Sequence, residues 1–206
     1  MTFAGATLLA SAAAFAQMQP GGGGGAPGGQ PTPGQPTPGT QPGGMSPTMG
    51  DTANLQTTND KGFVRDALQG GMAEVQLGHL AAQKGSAEDV KQFGQKMVDD
   101  HTKLGDQMSE IAQQLGVKPP DGPSKKDKKL QAKLENLSGP DFDKAYIEAM
   151  IKDHKEDVSN FTMEAQHSQN PAVKQAASQA EPVLESHLKM IQQIAEAHNL
   201  PGGKSK

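Results

Sequence analysis

Four stretches of this chain, all after Asp51, carry apolar residues at alternating spacings of three and four. Such spacing places the apolar side chains along one side of an α-helix, whereas a half-buried strand would alternate at every second residue. Helices with one apolar side bury that side against each other, so the sequence predicts an all-α four-helix bundle. The residues that bound the predicted helices are Asp60, Lys84, Ser86, Gly116, Ser138 and Pro171.

Two of the predicted helix starts have the spacing of a capping box. Ser86 is followed three residues later by Asp89, and Ser138 by Asp141. In a capping box the serine hydroxyl accepts from a free backbone N–H of the first turn. Pro182, inside the fourth predicted helix, lacks an N–H and is expected to kink that helix.

The connections between the predicted helices differ in length. Both outer connections are short, which makes the first two helices and the last two helices antiparallel hairpins. The middle connection covers residues 117–137, and leucines at 130, 134 and 137 predict a short extra helix within it. A connection of that length either crosses the whole bundle, as in ferritin-like folds, or lies over one end. The ferritin-like arrangement is our expectation, with an up-down-up-down order as the alternative.

The segment before the bundle has the composition of an export signal and a tether. Residues 1–16 contain an apolar run that ends in Ala14-Phe15-Ala16, the pattern of a secretory signal peptide and its cleavage site. Residues 17–56 are rich in Gly, Pro, Gln and Thr and predict a disordered tether. The bundle domain is expected over residues 57–200, followed by a disordered tail over 201–206. The predicted location is the periplasm or the outer envelope.

Composition excludes several functional classes. The chain has no cysteine, so disulfides, thiolate metal sites and cysteine nucleophiles are excluded. A net charge of −4 without an arginine-rich patch argues against nucleic-acid binding. The apolar run in residues 1–16 is shorter than the roughly 20 residues of a membrane span, so no transmembrane span is expected in the mature chain. Peripheral association with the envelope and the oligomeric state stay open.

A titratable residue interrupts the apolar side of each long predicted helix. These residues are Glu74, His101, His154 and His187. At about 1.5 Å per residue, Glu74 and His101 both lie about 21 Å from the same end of the bundle. His154 and His187 are similarly far into their own helices. All four are therefore expected at one level, near the middle of the core.

One glutamate and three histidines at one level are suitable ligands for a single zinc, iron or manganese ion. Asp100, Asp153 and Asp157 are near enough in sequence to orient those ligands or to add one more. A di-iron site is not expected, because such sites need a glutamate three residues before a histidine on two helices. Val98 and Leu184 occupy those positions before His101 and His187. The alternative interpretation is a hydrogen-bonded polar layer that fixes helix register without a metal.

Three further features have structural interpretations. Tyr146 is expected in the core with its hydroxyl at the rim. The remaining histidines lie off the predicted level and are expected at the surface; these are His79, His167 and His198. The lysine cluster at residues 125–129 is interrupted by an aspartate and is expected to be a solvated helix face.

Six segments carry a resemblance to a known family: Phe63-Val64, Glu74 to Gly78, Lys91 to His101, Phe142 to Tyr146, Asp153-His154 and His187-Leu188. In these segments the chain resembles an exported bacterial family, domain-of-unknown-function family 4142, whose members are placed among ferritin-like bundles. The placement of one glutamate and three histidines is the most specific part of this resemblance. The resemblance implies a ferritin-like fold and export, and it implies no substrate.

Three functional hypotheses follow from the sequence. The first is an exported protein that binds one transition-metal ion through Glu74 and the three histidines. The second is a structural or stress-related envelope module without a metal, which acts through its helix faces. The third, an oxidase or peroxide-removing enzyme, needs a redox metal with an open coordination position. A catalytic role is the least expected of the three.

Overall fold

A computed structural model describes residues 49–203 of the chain, with side chains described from residue 59 onward. The predicted signal peptide at residues 1–16 lies outside the described residues. So do the predicted tether up to residue 48 and the last three residues of the tail. Within the described part no helix is long and apolar enough to cross a membrane.

The described residues form helices and contain no strand, which confirms the all-α prediction. The short helix predicted inside the middle connection is α3. The four long predicted helices correspond to α1, α2, α4 and α5. The helices are α1 (Met49–Lys84), α2 (Glu88–Leu115), α3 (Lys125–Glu135), α4 (Gly139–His167) and α5 (Pro171–Ala197).

The long helices pack as two hairpins placed side by side. α1 packs mainly on α2 and α4 mainly on α5, while α2 also contacts α5 and α1 contacts α4. One apolar cluster, which we call the lower cluster, joins the early part of α1, the late part of α2 and the first turns of α5. Its buried members are Val64, Leu68, Met108, Ile111, Ala112, Val173 and Ala176.

A second apolar group, which we call the upper cluster, joins the late part of α1, the early parts of α2 and α4, and the end of α5. It includes Leu77, Phe93, Phe142 and Ile191. α2 therefore ends at the lower cluster whereas α4 begins at the upper one. The connection between them travels the length of the bundle instead of covering one end.

Contacts with α1 hold that connection against the bundle. Gln69 donates from Nε2 to the carbonyl oxygen of Gly122 at 3.0 Å. Nearer the upper end, the ammonium group of Lys84 donates to the carbonyl oxygen of Glu135. Leu134 of α3 is fully buried in the upper cluster. A buried leucine at this position gives α3 an apolar anchor despite its many lysines.

Two predicted boundaries differ from the structure. α1 begins at Met49 rather than near Asp60, so residues 49–56 belong to the helix and not to the tether. Pro47 is the last proline before Pro119, and without a proline the helix extends toward the N-terminus. At the other end, residues 201–203 form a turn in which Gly203 is buried against the backbone of Glu196.

Both predicted capping boxes are wrong. The N-cap of α2 is Ala87, whose side chain makes no capping bond. The start of α2 is instead capped by Asp143 of α4. The Asp143 carboxylate accepts hydrogen bonds from the backbone N–H groups of Ser86 and Ala87 and from the Ser86 hydroxyl. Ser138 is the N-cap of α4 but its side chain makes no capping bond. α5 continues through Pro182 as one helix.

Two glycines set the distance between α1 and α2. A Cβ atom added to Gly94 would lie 2.7 Å from the carbonyl oxygen of Gly78, and a Cβ added to Gly78 would lie 2.7 Å from that of Gly94. Both values are too short for a real contact. The two backbones therefore touch directly, one turn above the level of Glu74.

We expect Gly94→Ala to lower the free energy of unfolding by about 1–3 kcal/mol, because the added methyl group forces the two helices apart. Gly105→Ala is the matched control on the same helix, since a Cβ there meets nothing within 4 Å. It should stabilise the protein by up to about 1 kcal/mol through helix propensity. Urea unfolding followed by circular dichroism measures both. Equal effects of the two substitutions would contradict the close helix contact.

Candidate metal centre

The structure brings Glu74, His101, His154 and His187 together in the core. They come from α1, α2, α4 and α5 respectively, and their exposed fractions are 4%, 3%, 0% and 0%. The layer lies between the upper and the lower apolar cluster. The helical spacing of the polar interruptions therefore predicted both the level and the burial of these side chains.

The three imidazole rings face one another. Their centroids are 5.2 Å apart for His101 and His187, 5.4 Å for His154 and His187, and 5.8 Å for His101 and His154. One nitrogen from each ring can be chosen so that all three lie within 4.8 Å of one another. Rings at these distances can direct nitrogen lone pairs toward a common point.

Each ring is held by a bond at only one of its nitrogens. Nδ1 of His101 lies 2.9 Å from Oε2 of Glu74, and Nε2 of His187 lies 2.9 Å from Oδ2 of Asp100. Nδ1 of His154 lies 3.1 Å from the carbonyl oxygen of Met150. Since a carbonyl only accepts, Nδ1 of His154 carries the proton and Nε2 keeps its lone pair.

The other nitrogen of each ring is buried without a hydrogen-bond partner. These atoms are Nε2 of His101, Nε2 of His154 and Nδ1 of His187. Glu74, by contrast, has the side chain of Asp157 as a hydrogen-bond partner. Oε1 of Glu74 lies 3.7 Å from Nε2 of His154, beyond hydrogen-bond distance. A buried polar atom without a partner costs about 1–3 kcal/mol. Several such atoms at one point are the arrangement that a bound ion would satisfy.

Burial keeps the three imidazoles neutral. It lowers the pKa of His101 to about 4, and the charges of nearby aspartates oppose the change only in part. Burial and the neighbouring imidazoles lower the pKa of His154 to about 3. For His187, burial outweighs the hydrogen bond to Asp100 and lowers the pKa to about 4. Neutral rings offer lone pairs to a metal near pH 7 without first losing a proton.

Burial shifts the pKa values of two carboxyl groups of the layer in the opposite direction. Burial, and after it the charge of Asp153, raises the pKa of Glu74 well above its usual range. Burial and the charge of Glu74 raise the pKa of Asp157 to about 9. Asp100 differs, because hydrogen bonds from Lys96 and His187 outweigh the effect of its burial and lower its pKa. Asp100 is therefore the ionised partner that fixes His187.

Of the three predicted supporting aspartates, the structure places two against the layer. Asp100 binds His187, and Asp157 forms a second ligand group with Glu74 and His154, in which the candidate atoms lie within 4.8 Å of one another. Asp153 belongs to neither group. The spacing of Asp157 three residues after His154 puts both on one side of α4, which is the sequence signal for this pair.

Two aromatic residues complete the upper side of the layer. Phe93 packs edge-on against His154 and His187, with centroid distances of 6.3 Å and 6.2 Å. Tyr146 is fully buried and its hydroxyl has no hydrogen-bond partner, so the predicted position of that hydroxyl at the rim is wrong. Burial and the charge of Glu74 raise the pKa of Tyr146. The tyrosine stays protonated within the upper cluster.

The remaining histidines lie away from the layer. His79 and His167 are exposed, as predicted. His198 is partly buried, and its Nε2 lies 3.0 Å from the Asp89 carboxylate at the upper end of the bundle. None of them is part of either ligand group among the described residues.

A cleft of about 340 Å³ reaches the layer from the surface. Residues of all four long helices line it, and of the layer it touches Glu74, His101 and Asp157. Part of its wall is formed by Gly70, Gly71 and Gly105, where an added Cβ would meet nothing within 4 Å. The layer is therefore approached from its carboxylate side.

Comparison with known proteins supports the helical fold. The model of a domain of unknown function, DUF4142, matches residues 45–194. No curated protein matches the sequence significantly. A crystal structure of a DUF305 fragment from Deinococcus radiodurans is 15% identical, covers 67% of this chain and 95% of its own, and has a TM-score of 0.59. A DUF305 protein from Streptomyces coelicolor, described as a candidate secreted protein, is 15% identical, covers 71% and 96%, and has a TM-score of 0.60.

We expect Asp157→Asn to stabilise the metal-free protein at pH 8 by about 1–2 kcal/mol, or roughly 3–6 °C in Tm. The pKa of Asp157 rises from 3.8 to about 9 on folding, so this carboxyl takes up a proton between those values. The free energy of unfolding that this carboxyl takes from the protein therefore grows as pH rises through that range. The stability gained by Asp157→Asn should accordingly shrink toward pH 4.

Thermal unfolding across pH 4–9 tests this prediction. Asp106→Asn, at an exposed position on α2, controls for the loss of a surface carboxyl. A gain independent of pH would contradict the buried, protonated state.

Proposed function

This chain belongs to the DUF4142 family, and we propose that it is an exported protein that binds one transition-metal ion in the core of its helical bundle. His101, His154 and His187 are the proposed ligands, with Glu74 as a fourth. Zinc, iron and manganese are the metals that suit three imidazoles and a carboxylate. The family description states no activity, so the proposal rests on the site.

The observation that carries the proposal is the set of unpartnered buried nitrogens. Each of the three rings is fixed at one nitrogen by Glu74, Asp100 or the Met150 carbonyl, and each leaves its other nitrogen without a bond. Metal-binding histidines typically have this arrangement, because the outer hydrogen bond sets the tautomer and the ring orientation. A hydrogen-bonded layer that only fixed helix register would instead pair those nitrogens with each other.

The distances fit a metal after a small contraction. Ligand nitrogens around a tetrahedral zinc ion lie about 3.3 Å apart, given a metal–nitrogen distance of about 2.0–2.1 Å. The candidate atoms of the three histidines already lie within 4.8 Å of one another. Side-chain movements of about 1 Å, without a shift of the helices, therefore close the site. The bound ion supplies Lewis-acid chemistry, and redox chemistry if it is iron or manganese.

Export is proposed from the sequence before the bundle. Residues 1–16 have the pattern of a signal peptide, and a solved DUF305 neighbour is described as a candidate secreted protein. The connection that crosses the bundle supports a ferritin-like arrangement. We propose a periplasmic or outer-envelope location, in which a bound ion would be stored or buffered outside the cytoplasm.

We expect the full chain, purified from the periplasm without an affinity tag, to hold about one equivalent of a single metal by elemental analysis. His101→Ala and His154→Ala should each lose it, because three ligands at one level become two. His79→Ala removes an exposed histidine of α1 and should keep the full equivalent. Added metal at about 100 times its Kd should stabilise the wild type by about 2.7 kcal/mol.

A metal-free wild type that takes up none on titration would contradict the proposal. If His101→Ala and His154→Ala still destabilised that protein, the layer would be a structural hydrogen-bond network, and the function would lie on the helix faces. Turnover of peroxide by the loaded protein would instead add an enzymatic role to the metal site.

A further inference from the structure

The cleft touches only one side of the polar layer. Among the candidate ligands it is lined by Glu74, His101 and Asp157, whereas His154 and His187 are fully buried behind them. Phe93 packs against both of these buried rings on the side of the upper cluster. A hydrated ion that enters by the cleft therefore meets the carboxyl groups before it meets the complete set of imidazoles.

Two ligand groups overlap at this point. One consists of His101, His154 and His187, and the other of Glu74, His154 and Asp157. The second group includes a buried atom without a hydrogen-bond partner, Nε2 of His154, beside the hydrogen-bonded side chains of Glu74 and Asp157. Because Nε2 of His154 has one lone pair, it can bind only one ion at a time. The two groups are therefore alternative positions for the same ion.

We infer that Glu74, His154 and Asp157 form an outer cation position at the inner end of the cleft, which receives a divalent transition-metal ion before it moves to the three histidines. This inference rests on the proposed function. Carboxylate oxygens accept ions that still hold several waters, whereas imidazoles bind transition metals after those waters have left. His154, common to both groups, keeps one bond to the ion during the transfer.

The residues that line the cleft support the entry of an ion by this route. Gly70 and Gly71 on α1 and Gly105 on α2 line it, and an added Cβ at any of them would meet open space. Helix packing therefore does not require glycine at these positions, unlike Gly78 and Gly94. Larger side chains would fit without displacing a helix, and they would narrow the passage.

The test measures the rate at which Zn²⁺ moves from a chromogenic chelator to the metal-free full chain, followed by stopped-flow absorbance. Asp157→Asn should slow uptake and release by about tenfold and leave the stoichiometry and the final affinity nearly unchanged. Asp153→Asn is its matched control, since it replaces a carboxyl group by an amide one turn away on α4 and belongs to neither ligand group. That control should retain the wild-type rates.

Gly71→Leu tests the passage itself. It should slow uptake and release by a similar factor, about tenfold, because its side chain fills the cleft. Gly62→Leu places the same side chain on α1 at a position that also has open space but does not line this cleft. It should bind Zn²⁺ as fast as the wild type.

The outcomes separate this inference from the proposed function. A wild type that binds no Zn²⁺ overturns both. Normal equilibrium binding with unchanged rates in Asp157→Asn and Gly71→Leu overturns the outer position alone. Loss of the bound equivalent in Asp157→Asn would make Asp157 a permanent ligand, and equal slowing by Asp153→Asn would reduce its role to charge attraction. Both results also overturn the inference.

Discussion

The bond that fixes one nitrogen of each core imidazole constrains the rest of the bundle. His101 is held from α1 by Glu74, and His187 is held from α2 by Asp100. His154 is held by a carbonyl of its own helix. A slide of α1 along α2, or of α5 along α2, by one residue would move a partner by about 1.5 Å and break such a bond. The apolar clusters above and below supply burial, and the polar layer fixes the register in which it occurs.

The charge state of this layer follows from its burial. Burial lowers the pKa of the three histidines, to between about 3 and about 4, and raises those of Glu74 and Asp157. Near neutral pH the metal-free layer holds neutral rings and a protonated carboxyl, that of Asp157. Binding of a divalent ion at Asp157 would release this proton. Metal affinity should consequently rise with pH.

The sequence predicted those features that depend on helical periodicity. The helix count, the short α3 and the common level of the four core residues all follow from the spacing of apolar and titratable side chains. Contacts between residues far apart in the sequence could not be predicted from this spacing. Asp143 caps α2 from more than 50 residues away, and a local serine with the right spacing suggested a capping box that does not form. Rotation of the helices likewise decided that Asp100 and Asp157, but not Asp153, join the layer.

Glycine has two opposite effects in this bundle, and both act on the site. Gly78 and Gly94 let α1 and α2 touch backbone to backbone, which closes the core above Glu74. Further along the same helices, Gly70, Gly71 and Gly105 have open space where a side chain would be and leave a cleft beside Glu74. Helix propensity favours alanine at these open positions by up to about 1 kcal/mol each, so the glycines there weaken their helices without improving the packing. A bundle whose layer served only for register would be more stable with the cleft filled. The open passage leaves Glu74, His101 and Asp157 in contact with the cleft, as the proposed exchange of an ion requires.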